Sequence, residues 1–278
     1  MSLLLLSCLS PQAEADEAAT ETVAMSPAEL QAKAGLEKAP GFHAFVEQPW
    51  VVFGDGPPAQ VERRAVGTVR WANALLVQDY FPKAPLQPVD VWLFKDASSY
   101  QRHTQAWLDE VPETPYGFAN EQGLFMDIST GGGTLVHEMV HPLMAVNFPG
   151  CPPWFNEGLA SLYEAVAEED GHLVGRLNWR LDGLQEQIKA KALPSFEVLM
   201  AQDADGFYNH DTADNYGQSR YLLYYLQEQD LLRPYYAAFT ANAEQDPTGF
   251  ESLKEVLGRE DIPAFQAEWE AWVLTLSR

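Results

Sequence analysis

The chain has 278 residues, and its 40 Asp and Glu against 17 Lys and Arg leave a formal net charge of −23 at pH 7. No basic run offers phosphate contacts, which argues against a nucleic-acid or anionic-membrane surface. No stretch approaches the roughly 20 apolar residues of a transmembrane helix, and the two cysteines, Cys8 and Cys151, make no disulfide framework.

At the amino terminus Leu5-Leu6-Ser7-Cys8 is similar to a bacterial lipobox. Residues 1–8 are therefore expected to act as a lipoprotein-type signal, with a lipidated Cys8 attaching an exported chain to the cell envelope. Residues 9–40 are rich in Ala, Glu, Asp, Gln and Thr and poor in aromatics, the composition of an acidic disordered tether. Residues 41–278 suffice for an α+β domain, an upper α/β lobe over 41–148 followed by a mostly helical lobe over 149–278. In the first lobe the apolar patterns predict a strand at 50–53, a long helix at 59–80, a strand at 89–94, a helix at 97–108 and a strand at 123–129. In the second they predict helices from 153 and at 175–192, 213–229, 231–243, 248–258 and 262–276.

Between the lobes lies the run His137-Glu138-Met139-Val140-His141. At about 100° per helical residue, His141 returns to within roughly 40° of His137, so both imidazoles can meet one ion from one helix face. The run sits in an apolar helical segment opened by Gly131-Gly132-Gly133, and Pro142 is expected to kink the helix. A turn with Pro149, Gly150, Pro152 and Pro153 leads into a second helix carrying Glu157 in its first turn. Two histidines and a carboxylate leave a fourth position free for chemistry, the pattern of a catalytic zinc site. His137, His141 and Glu157 are the expected ligands of one Zn2+ per chain, with Glu138 beside the open position. Cys151 reads as a buried thiol in the turn, and His43, His103 and His172 as surface or packing residues.

HEMVH with WFNEGLA resembles the gluzincin clan of zinc metallopeptidases and, more narrowly, the peptidase MA-like families. The likeness runs over residues 45 to 275, through Pro88 to Asp96 before the motif and Tyr216 to Leu226 after it. It implies a zincin-like fold, with a small mixed sheet whose edge strand, here 123–129, lies beside the metal helix and pairs with the substrate backbone. It also implies Glu138 as general base and acid, and a tyrosine from a later helix as oxyanion donor: Tyr216 first, Tyr221 second, with the loop residue His210 a further candidate. Related groups place an acidic residue four positions after the zinc glutamate to orient a histidine; Ser161 stands there, so another partner must take that part. Should Glu157 not bind the ion, Glu164 is next in line.

The function implied is hydrolysis of a peptide or protein by zinc-activated water. Two other classes share the same motif: a zincin-fold binding or scaffold protein of the envelope with little turnover, and a zinc hydrolase acting on a non-peptide bond.

Overall fold

The computed structural model describes residues 25–108, 112, 114–209 and 212–278. Cys8 and the signal expected over 1–8, residues 9–24 of the tether, and His210 lie outside the described residues. The fold is mixed α+β.

Three strands that read as near-continuous apolar runs form the middle of the sheet: β2 (Trp50–Gly54), β3 (Val89–Phe94) and β5 (Gly123–Asp127). They pair in parallel, as strands buried on both faces do. The half-buried β1 (His43–Glu47) and the short β4 (Gly117–Asn120) add to the two edges in antiparallel fashion, giving the order β1-β2-β3-β5-β4.

The expectation of 123–129 as the edge strand is corrected here. β5 lies between β3 and β4, pairing Val91 with Leu124 on one side and Phe118 with Phe125 on the other. The open edge is β4, folded back through a tight turn in which Asn120 Oδ1 accepts the Gln122 amide at 2.8 Å and Gly123 takes a φ of 131°. Four residues, Gly-Phe-Ala-Asn, are too few and too weakly apolar to show strand alternation in the sequence.

The tether expected over 9–40 is also corrected where it is described. Pro27–Lys38 forms helix α1, opened by a Ser26/Glu29 capping box. It docks on the sheet through small residues, Ala28, Ala32 and Gly35, next to Phe53 and Trp92. A Cβ at Gly35 would overlap the Phe53 ring. Composition hides this helix because a narrow stripe of small residues is all that it buries.

On the same sheet face lies α4 (Ala97–Leu108). The opposite face carries α2 (Pro58–Arg64), continued through a π-helical turn at Ala65–Arg70 into α3 (Trp71–Asp79), and α5 (Gly133–Asn147). Beyond α6 (Pro153–Leu162) the chain makes a two-stranded hairpin, β6 (Val166–Glu169) and β7 (His172–Gly175), where a helix was expected from 175. Asp170 and Gly171 turn it with φ of 50° and 77°, the positive pair that an Asp-Gly hairpin turn requires. Helix α7 (Arg180–Ala190) starts only after it. The short α8 (Phe196–Met200) and α9 (Ala204–Asn209) precede α10 (Thr212–Glu228), α11 (Leu232–Asn242), α12 (Phe250–Leu257) and α13 (Ile262–Val273). One hydrophobic cluster runs from Trp50 to Val273, so the sheet and the helical region share a core. Among the described residues no helix is long and apolar enough to cross a membrane.

Because α1 fits only where residue 35 has no side chain, Gly35→Val is expected to lower the unfolding free energy by about 1–3 kcal/mol. Denaturant titration checks this; an unchanged midpoint would mean that α1 adds nothing to the fold.

Candidate metal centre

Helix α5 carries the motif into the cleft, and its start is fixed by contact. Gly133 lies so close to the Glu164 carbonyl that any Cβ would overlap it. Gly131 supplies a φ of 121° just before, between β5 and the helix. Pro142 does not end the helix, which runs on to Asn147. The reversal into α6 uses Pro152 as N-cap and Pro153 at the first helical position. Trp154 and Phe155 are buried, and the Trp154 indole donates to Thr248 O at 2.9 Å, so Glu157 sits on a firmly seated first turn.

His137, Glu138 and His141 bring ligand atoms within 4.8 Å of one another, a group able to hold a metal ion. Glu157 meets them from α6. Its Oε2 lies 3.4 Å from His137 Nε2 and 4.0 Å from His141 Nε2, and Glu138 Oε2 lies 3.9 Å from His141 Nε2. Glu157 Oε2 is buried and has no hydrogen-bond partner, although its Oε1 accepts from the Tyr208 hydroxyl at 2.8 Å. An orphaned carboxylate oxygen facing two imidazole nitrogens is costly unless a cation joins them. The residues thus fit a metal ion.

The electrostatics agree. Burial alone would push the Glu157 carboxyl up, but His137 and His141 close by and the Tyr208 hydroxyl outweigh it and hold it at about 2. Burial pushes His137 down, and the carboxylates of Glu157, Glu138 and Glu164 outweigh that and raise it. Glu138 is raised, mainly by burial.

His141 has a hydrogen-bonded partner behind it, whereas His137 Nδ1 is buried without one. His141 Nδ1 lies 3.1 Å from Asn156 Oδ1, which as an acceptor favours the tautomer with the proton on Nδ1 and the lone pair on Nε2. His137 Nδ1 lies 3.5 Å from Glu164 Oε1. Arg180 grips Glu164 with two hydrogen bonds of 2.9 and 2.6 Å, and Asn178 Nδ2 donates to it at 2.8 Å. Glu164 is thus a carboxylate held in ion-pair reach of His137 Nδ1 without a hydrogen bond to it, and Ser161 is fully buried with its hydroxyl unpartnered.

The centre lies in a cleft of about 830 Å³ that reaches along β4 toward Asp90 and Gln31. A second cavity of about 590 Å³ opens on the other side, past Tyr116, Trp179 and Arg180. Gly117, His137, Glu138 and Tyr216 line both. Tyr216 lines the cleft; burial and the Glu157 charge push its pKa upward, so it keeps its proton. Tyr221 does not reach the cleft. It is fully buried, and its hydroxyl accepts from Asn178 N at 3.2 Å and donates to Asn178 O at 3.4 Å. The Cys151 thiol is pushed up by burial and turns to Pro152 O. His103 stacks on Phe94 and His172 pairs with Asp79, while His43 lies on β1, none of them at the centre.

Sequence reasoning missed Tyr208, Asn156, Asn178 and Arg180. Asn156 stands next to Glu157 inside the motif and could have been found there; the other three carry no local signal. No protein-family model matches this chain, and no curated protein does.

Because His137 carries its proton to a higher pH than a free imidazole and must lose it to bind a metal, affinity is expected to fall on acidification. Below that raised pKa the slope for one displaced proton is about tenfold per pH unit. Zinc titrations by calorimetry in buffers of different ionisation enthalpy read both the slope and the released proton. A pH-independent affinity with no proton release would contradict the assignment. Tyr208→Phe, which frees Glu157 Oε1, is expected to weaken zinc roughly tenfold in the same titrations, as losses of such supporting hydrogen bonds do.

Proposed function

We propose that this protein is a zinc-dependent peptidase of the gluzincin type. The observation that carries the proposal is the convergence of His137 Nε2, His141 Nε2 and the partnerless Glu157 Oε2 beside Glu138, in the wall of a cleft that an open strand edge lines. Two imidazoles and one carboxylate suit zinc and leave a coordination position open. When bound, the ion supplies Lewis acidity, polarising a carbonyl and acidifying water.

The chain's own groups do the rest. Glu138, beside the open side and raised by burial, takes the proton from the attacking water and returns it to the leaving amine. Tyr216 holds its proton and offers it as a hydrogen bond to the developing oxyanion, while the Tyr208 hydroxyl donates to Glu157 Oε1. The β4 edge presents unpaired backbone groups to an extended chain, by strand addition. Since two cavities meet at Glu138, that chain has room on both sides of the bond to be cut.

His137→Ala, His141→Ala and Glu157→Ala are each expected to lose most of the bound zinc, because each removes a ligand. Glu138→Gln keeps shape but accepts no proton, so zinc should stay near one per chain while peptide cleavage falls by about two to four orders of magnitude. Tyr216→Phe should cost roughly ten- to a thousandfold in kcat with zinc content unchanged. Metal analysis beside cleavage of a mixed peptide library tests all five. A wild-type chain that binds zinc and cleaves nothing would replace the peptidase with the scaffold reading. Full zinc in Glu157→Ala would move the third ligand elsewhere.

A further inference from the structure

Helix α10 carries a charged group that the peptidase reading leaves without a task. Arg220 is fully buried, and none of the ion pairs among the described residues includes it. Burial brings its pKa down to about 10, so it is still charged at neutral pH. Its Nε and Nη2 donate to backbone carbonyls, Nε to Ser161 O at 2.9 Å and Nη2 to Leu162 O at 3.5 Å and to Arg176 O, while the buried Nη1 has no partner. Ser161 and Leu162 close α6, where the helix dipole favours a cation. Arg176 follows β7. The β6-β7 excursion thus leaves from Arg220 and returns to it. The next residue, Tyr221, clasps Asn178 through its hydroxyl. Glu164 stands at the outgoing end of the excursion, and Asn178 and Arg180, which grip it, stand at the returning end.

We propose that Arg220 is a positioning residue for the metal centre: by pinning both ends of the 163–175 excursion it sets Glu164 against Asn178 and Arg180, and so sets the carboxylate that lies 3.5 Å from His137 Nδ1. The proposal rests on His137 being a metal ligand. A planar guanidinium can send donors to carbonyls on two different segments at once, which the point charge of a lysine does less well. Filling space would not need the charge, since buried ionic groups are often replaced by apolar ones of similar volume at no cost to stability.

The test uses the full chain, with zinc affinity read by chelator competition and the His137 ring nitrogen resonances read in metal-free protein. Arg220→Met and Glu164→Gln are each expected to weaken zinc about 10- to 100-fold. The double variant should be no weaker than Glu164→Gln alone, because both changes act through one carboxylate. Arg220→Lys should fall between wild type and Arg220→Met. In metal-free protein the His137 signals should move in Arg220→Met as they do in Glu164→Gln, and stay in place in Leu253→Ala, a core change in α12. Multiplying losses in the double variant would overturn the proposal, as would wild-type zinc affinity in Arg220→Met. If Arg220→Met does not fold, Arg220→Lys carries the same cycle with Glu164→Gln. A wild-type chain that takes up no zinc defeats the metal reading instead, and the His137 signals of the variants still judge Arg220.

Discussion

A carboxylate oxygen sealed from water and given no donor is what the rest of this structure is arranged around. Glu157 Oε2 is held there by α6, and α5 aims two imidazole nitrogens at it. Burial of that charge is tolerable only because positive charge is close, as a proton on His137 or as a metal ion. The two states are alternatives, since one nitrogen lone pair cannot hold both. Everything that fixes α5 relative to α6 therefore tunes the choice between them.

That fixing is done by close backbone approach. Gly133 lets the start of α5 rest on the Glu164 carbonyl, and Gly158 lets α6 lie against α10, where an added Cβ would stand 3.1 Å from Ser219 and Leu223. Glycines at these contacts bring three helices near enough for Tyr216, Arg220 and Glu164 to act on one small volume. Arg180 lies stacked between the rings of Trp179 and Tyr216 while it grips Glu164, so the wall of the second cavity and the support of His137 are one piece of structure.

The sequence made the metal-holding group legible because its spacing is local. His137, Glu138 and His141 are set by one helix turn, and the prolines before Glu157 announce the reversal that brings it near. The buried strands at 50–53 and 89–94 and the longer helices of the carboxy-terminal region were equally visible as apolar runs, whereas the short α8 and α9 were not. What stayed hidden depends on contacts across long separations or on segments with little to bury. Tyr208 meets Glu157 from 51 positions away. Asn178 and Arg180 hold Glu164 across a hairpin of two four-residue strands, the first acidic and partly exposed, and α1 docks on a stripe of small side chains that composition reads as unstructured. Only the fold could show that Glu164, beyond the end of α6, lies 3.5 Å from His137 Nδ1.

The brevity that concealed β4 has a meaning of its own. An exposed strand edge invites pairing with any other strand, including that of a second copy, and long flat edges lead to aggregation. Four residues bounded by Thr114 and Tyr116 on one side and a tight turn on the other give too short a template for sheet-to-sheet association. They also give an incoming chain few backbone hydrogen bonds. In the proposed peptidase, discrimination between one chain and another would then fall to the side-chain walls on either side, and the edge would set only the line along which a chain lies.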